Sequence, residues 1–214
     1  MKSVLIIGLG RFGRHMARTM VNLKNEVLAI DNDETRANES LEYIGNIQIG
    51  DATSEKFIAS LGVRNFDMCV VAIGDNFQSS LETTALLKEY GAKFILARAN
   101  RDVHKKFLLH NGADEVVYAE RAMAERMAMK YGSAHVFDYI KLADDYSIYE
   151  ISVPSSWVGK SILAKGIRSR YKISILATKT NGKINPLPQP EHVFTSDENL
   201  IVMGHKEDIQ AITR

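Results

Sequence analysis

The chain has 214 residues, enough to bury a sizeable core as one domain or two small ones. Its 27 basic and 26 acidic side chains leave a formal net charge of +1, which excludes a strong electrostatic pull toward nucleic acid or an anionic bilayer. A lone cysteine, Cys69, excludes a disulfide framework and points to a cytoplasmic setting, and no run approaches the roughly 18 apolar residues of a membrane span.

In chain order, short apolar runs alternate with helical patterns. The runs Val4–Ile7, Val27–Ile30, Ile47–Ile49, Met68–Ile73, Phe94–Ala97 and Val116–Tyr118 are mostly continuous, as strands covered on both faces should be. Between them Phe12, Met16, Met20 and Leu23 mark one apolar helix face, and "DETRANESLEY", "FQSSLETTALLKEY" and "DVHKKFLLHN" are read as further helices, the last closed by Gly112. Strand–helix units in series predict an α/β fold with a Rossmann-like, doubly wound parallel sheet over residues 1–120. The Ala- and Met-rich "ERAMAERMAMKY" reads as an interface or linking helix within a segment 121–138. Residues 139–214 are then expected to form a small α+β domain. Its parts are a strand in "SIYEISV", a helix in "KSILAKGIRSRY", strands in "ISILAT" and "NLIVMG" around the turn "TNGK", and a final helix "KEDIQAITR".

The stretch "SVLIIGLGRFG" places Gly8, Gly10 and Gly13 as a G-x-G-x-x-G directly after a strand and at the start of a helix. Gly8 allows the tight turn, Gly10 lets backbone approach a phosphate, and Gly13 lets the helix pack against the strand. Asp31, at the end of the second strand, is placed to accept hydrogen bonds from ribose hydroxyls, which disfavours a 2′-phosphate. Polar residues close most strands: Asp31, Asp51, Asp75 with Asn76, Arg98 and Glu120. Strand ends of this kind line a ligand crevice, although Asp51 and Asp75 fit helix caps equally well. Arg11 puts a cation at a helix start, where the dipole disfavours it, so it reads either as a phosphate contact or as a solvated surface charge. The first reading favours ATP or ADP over NAD(H).

No catalytic constellation accompanies this loop. His15, His104, His110, His135, His192 and His205 show no metal or triad spacing, and His104 and His110 are expected in solvent on a charged helix. A nucleotide site without chemistry around it reads as a sensor. The alternative is an NAD-dependent oxidoreductase with a small substrate domain.

"VLIIGLGRFG", "VLAID", "GDAT", "FDMCVVAIGDNFQSS" and "GADEVVYAE", followed by "YSIYEISVPSSWVGKSI", "IRSRYKISILAT" and "DENLIVMGHKEDI", resemble in order the regulator-of-potassium-conductance (RCK) domains of TrkA/KtrA-type cytoplasmic subunits. The resemblance implies dimers joined through a helix near Met123–Tyr131, four of which form an octameric gating ring. That ring would sit beneath a membrane-embedded potassium transporter of the TrkH/KtrB type, and the chain would not bind nucleic acid. It implies ATP or ADP, or NAD(H), in a crevice formed by Gly8, Gly10, Arg11, Phe12, Gly13, Asp31, Asn32, Asp51, Ala52, Ile73, Gly74, Asp75, Arg98 and Glu120. In that carry-over Arg11 reaches the terminal phosphates, Asp31 holds the ribose and Asp51 lies near the adenine. Glu120 matches an acid that helps hold a divalent cation (Mg or Ca), with capping of the next helix as its other reading. Some family members also bind cyclic di-AMP between paired C-terminal domains; that pocket would fall on Ile162, Ile167, Arg168, Ile175, Leu176 and Pro190.

Overall fold

A computed structural model describes residues 1–213; Arg214, the last residue of the predicted terminal helix, lies outside the described residues. The chain divides into two compact units, Met1–Glu120 and a second that begins at Arg121.

In the first unit, β1 (Ser3–Ile7), β2 (Glu26–Asp31), β3 (Asn46–Ile49), β4 (Met68–Val71), β5 (Ile95–Arg98) and β6 (Glu115–Val117) form one sheet in the order β3-β2-β1-β4-β5-β6. Every pairing in it is parallel. The connections are α1 (Arg11–Asn22), α2 (Glu34–Ser40), α3 (Glu55–Ser60), α4 (Phe77–Glu89) and α5 (Asp102–His110), with α6 (Ala119–Gly132) following β6. The continuous apolar runs have a direct cause. Successive strand residues point to opposite faces, and each face meets its own core. Leu5, Ile7, Ile30, Cys69, Val71 and Ile95 pack on one side, while Val4, Ile6, Val27, Ala29 and Val70 pack on the other. Each buried Leu, Ile or Val among them contributes about 1.5–3 kcal/mol of apolar transfer. Cys69 is inside one of these cores, and burial pushes its thiol up to about 12, which leaves it unreactive.

Two details of the helices differ from the sequence reading. Leu23 is not on the apolar face of α1 but at its C-cap, and is 66% exposed. The helix α4 buries a largely polar face, Ser80, Thr83 and Thr84 together with Leu87. Six-residue α3 is too short for a periodic signal.

The second unit is built on an antiparallel sheet of β7 (Val136–Lys141), β8 (Tyr146–Ser152), β9 (Ser174–Thr180), β10 (Lys183–Pro186) and β11 (Glu198–His205), in the order β10-β9-β11-β8-β7. The turn "TNGK" joins β9 to β10 as expected: Asn181 and Gly182 both have positive φ, 50° and 78°, the geometry that suits the twist of a two-residue hairpin. The expected helix "KSILAKGIRSRY" is two short ones, α7 (Ile162–Lys165) and α8 (Ile167–Tyr171), separated by Gly166 at φ +59°. Helix α9 (Lys206–Ile212) closes the described chain. Strand β7 carries no signal in the sequence because it is an edge strand with only Val136 buried. Trp157, Phe194 and Tyr149 are the large side chains of this unit's core.

Candidate functional site

The strand order reverses between β1 and β4, and at that switch point the C-terminal strand ends open on a cavity of about 240 Å³. Its lining follows the strand ends in turn: Gly8, Gly10 and Arg11 after β1; Asp31, Asn32 and Arg36 after β2; Gly50 to Thr53 after β3; Ala72 to Asn76 and Ser79 after β4; Arg98 from β5.

The glycine loop is fixed by two hydrogen bonds to β2. Gly8 N–H donates to the Ile30 carbonyl at 2.7 Å, and Leu9 N–H donates to Asp31 Oδ2 at 2.6 Å. Asp31 Oδ1 accepts from Asp33 N–H at 2.9 Å, so this carboxylate, only 5% exposed, first of all locks the loop in place. Its remaining lone pairs are free in number to accept further donors.

The fold requires two of the three glycines, each for its own reason. Gly8 has φ +98°, a conformation that side chains disfavour. A Cβ on Gly13 would stand 1.8 Å from the Gly8 carbonyl oxygen, so only glycine lets α1 start this close to β1. A Cβ on Gly10 would meet no atom within 4 Å. Turn geometry and packing therefore explain Gly8 and Gly13 but leave Gly10 unexplained by the protein itself. Gly10 is also the N-cap of α1, contributes no side-chain capping bond, and is followed by a first turn without an acid. The helix N-terminus thus presents uncompensated N–H groups, the usual anion cradle, with the exposed Arg11 beside it.

Neither aspartate serves as a helix cap. Ser54 is the N-cap of α3, and Asp51 Oδ1 instead accepts from Thr53 N–H and Oγ1 at 2.9 and 2.8 Å. The Thr53 amide, followed by its hydroxyl, holds the Asp51 carboxyl below its ordinary range. Asn76 caps α4, its Oδ1 accepting from Ser79 N–H at 3.0 Å, which leaves Asp75 exposed on the rim.

Arg98 folds over Gly74 so closely that a Cβ there would lie 2.3 Å from Nη1. Its Nη2 pairs with the Glu120 carboxylate, its guanidinium lies 5.9 Å from the centroid of the Phe12 ring, and its Nε is buried without a hydrogen-bond partner among the described residues. Glu120 is held below the usual carboxylate range by its own backbone amide and then by Arg98 and Arg11.

Of the expected residues, Gly8, Gly10, Arg11, Asp31, Asn32, Asp51, Ala52, Ile73, Gly74, Asp75 and Arg98 share the one cavity. Phe12, Gly13 and Glu120 do not line it: Phe12 packs toward the core beneath Arg98, Gly13 is sealed against Gly8, and Glu120 acts on the cavity through Arg98. Among the described residues no three His, Cys, Asp or Glu side chains group as a metal site, so Glu120 offers a cation a single carboxylate. Among the lining residues that the sequence reading missed are Arg36 and Ser79. Each is the third residue of the helix that follows a lining strand, and first helical turns counted together with strand ends would have found them. His104 departs from expectation. It is fully buried rather than solvated, packed against the Phe77 ring with centroids 4.9 Å apart.

In the second unit, Ile167 is a core residue at 3% exposure, Ile162 and Ile175 pack against the same core, Leu176 is half-buried, and Arg168 and Pro190 are exposed. No helix among the described residues is long and apolar enough to cross a membrane.

The family model described as the TrkA-N domain matches residues 4–119, and that described as the TrkA-C domain matches residues 147–214. The chain belongs to the TrkA family. It is 39% identical to the Ktr system potassium uptake protein C of Bacillus subtilis, over 97% of this chain and 94% of that protein. It is 38% identical to the Ktr system potassium uptake protein A of the same organism, over 98% and 94%. Among solved structures, the fold matches the GsuK channel bound to NAD with a TM-score of 0.71 at 21% identity, over 99% of this chain and 38% of that one. The family relationship therefore spans both units, and the RCK-like architecture is shared with the channel.

Proposed function

We propose that this chain is the nucleotide-sensing regulatory subunit of a potassium uptake system, acting on a membrane-embedded translocating partner. The family membership and the two Ktr relatives support the transport role. The observation that carries nucleotide sensing is Gly10, a loop glycine that no protein contact requires, set at an uncapped helix start inside the cavity. A phosphate seated against that backbone gives the glycine its reason.

The cavity is lined by arginines, aspartates, amides and glycines, a set suited to a polyanion and its sugar. Arg11 is the phosphate-reading side chain in this proposal, and ATP and ADP are the ligands it distinguishes. Asp31 accepts from the ribose with the lone pairs that the loop leaves over, and Asp51 stands at the adenine end. Regulation requires that the two nucleotides favour different conformations, since equal affinity for both would shift nothing. A divalent cation would take Glu120 as one ligand once Arg98 lets it go. Dimers through α6, assembled into a ring, are the proposed quaternary state, and cyclic di-AMP on the second unit is a subsidiary proposal resting on Arg168 and Pro190.

Calorimetric titration of the full chain with ATP, ADP and NADH tests the reading, together with light scattering before and after ATP. Binding of ATP with a mass near eight chains is the expected result. A chain that ignores ATP, binds NADH and turns it over with a carbonyl substrate would instead be an oxidoreductase. Failure of cyclic di-AMP to bind would remove the subsidiary proposal alone.

A further inference from the structure

The crevice loop Gly74–Asn76 is held from beneath by side chains that the ligand reading leaves unused. Asn100 Nδ2 donates to the Gly74 carbonyl at 2.8 Å, Asn100 Oδ1 lies 3.2 Å from His104 Nδ1, and His104 Nε2 lies 2.7 Å from Ser80 Oγ. Ser80 and His104 are fully buried.

The direction of this chain of hydrogen bonds follows from its end. A carbonyl only accepts, so the Asn100 amide nitrogen faces Gly74 and its oxygen faces His104. His104 Nδ1 then carries the proton, and in a neutral ring Nε2 is left to accept from the Ser80 hydroxyl. Burial, with the nearby Arg101 charge, holds His104 below its ordinary pKa, in keeping with a neutral imidazole. The same helix supplies a second anchor. Thr83 Oγ1 donates to the Ala52 carbonyl at 3.2 Å, and Ala52 is part of the neighbouring crevice loop. Buried hydroxyls cost free energy unless paired, and on α4 these two pairings lead to crevice backbone.

We propose that Ser80, His104 and Asn100 form a positioning relay that fixes the Gly74–Asn76 loop in the geometry that receives the nucleotide. Asn100 holds the Gly74 carbonyl and, through its oxygen, keeps the proton on His104 Nδ1; His104 in turn orients the Asn100 amide, and Ser80 donates to Nε2 and holds the ring in place. With the relay in place Gly74 is clamped between Asn100 and the Arg98 guanidinium, and Asp75 and Asn76 line the cavity. The functional half of this inference rests on the nucleotide reading; the loop-fixing half rests on the hydrogen bonds alone.

The test uses the full chain with Asn100→Ala, His104→Asn and His104→Gln. An asparagine amide nitrogen reaches the place of the imidazole Nδ1, whereas that of glutamine reaches the place of Nε2. Three quantities are measured: ATP affinity by calorimetry, amide hydrogen exchange of residues 74–76 without ligand, and the His104 tautomer by nitrogen NMR of the wild type. N100A, at an exposed position, should weaken ATP about fivefold, the worth of one neutral hydrogen bond, and should speed exchange in the loop. H104N should stay close to wild type while H104Q matches N100A, and the wild-type ring should carry its proton on Nδ1. Unchanged exchange and affinity in N100A, or a proton on Nε2, would overturn the relay. Should the wild type bind no ATP, the nucleotide reading falls, and exchange and tautomer still decide the relay. Should both His104 variants misfold, N100A still decides it.

Discussion

Both units bury polar side chains, but the two buried sets end in different places. In the first unit Ser80, Thr83 and His104 lead outward, through Asn100 and directly, to the backbone of two loops at one edge of a parallel sheet. In the second, Glu198 is 3% exposed, and its carboxylate accepts from Thr195 N–H at 2.9 Å and lies 3.0 Å from His192 Nε2, so it staples a connecting segment onto β11. Topology explains the contrast. Parallel strands all finish at one edge, and with helices returning on either side they leave a crevice there. Antiparallel strands alternate their ends, so buried polar groups in such a sheet secure connections instead. The difference teaches that a buried polar network gains a functional role from where its last hydrogen bond lands.

The largest effect is expected at the glycine loop. Gly13→Ala should cost about 3 kcal/mol or more in urea denaturation, since the new methyl meets backbone that cannot yield. Gly10→Ala should stay within about 0.5 kcal/mol of wild type and yet lose nucleotide binding. Equal destabilisation by the two would remove the argument that Gly10 answers to a ligand. Next in size, Glu198→Ala should destabilise the second unit by about 2 kcal/mol, the penalty of orphaned buried partners. It should leave ATP affinity untouched; a parallel loss of binding would show that the two networks are coupled.

Arg11→Ala should weaken ATP about tenfold, the scale of one charge-assisted hydrogen bond, and NADH much less, with calorimetry as the readout. Equal losses would make Arg11 a general anion attractor. The smallest effect is acid-dependent. Arg126 grips Asp138 through two hydrogen bonds of 2.9 and 2.8 Å and, with the Tyr139 amide, holds the Asp138 carboxyl down at about 2. A lowered carboxylate pKa stabilises the fold above its unfolded value of 3.8, and that contribution disappears as pH falls through about 2. The stability gap between wild type and Asp138→Asn should therefore close over that window; a gap independent of pH would assign the pair no electrostatic role.

The parallel sheet was legible because strands covered on both faces write unbroken apolar runs, and the glycine loop because it must combine a turn, a close approach and a helix start. Asp31 was found from its place at a strand end, although its hold on Leu9 was not visible there. What escaped the sequence was polar burial and edges. Ser80, Thr83 and His104 look like surface residues until their partners, brought close only by the fold, are known. Strand β7 escaped because one buried residue makes no pattern. Arg36 and Ser79 escaped because helical first turns were not counted with the strand ends they overhang.

Gly10 has a consequence for how damage to this protein would show itself. A methyl group there meets no neighbour, so a chain with alanine at position 10 would be synthesised, fold, resist proteolysis and reach normal abundance. Quality control acts on unfolded chains and would have nothing to detect. Under the proposed function, such a variant would persist in the cell as an intact but deaf subunit, visible only to an assay that asks what the protein hears.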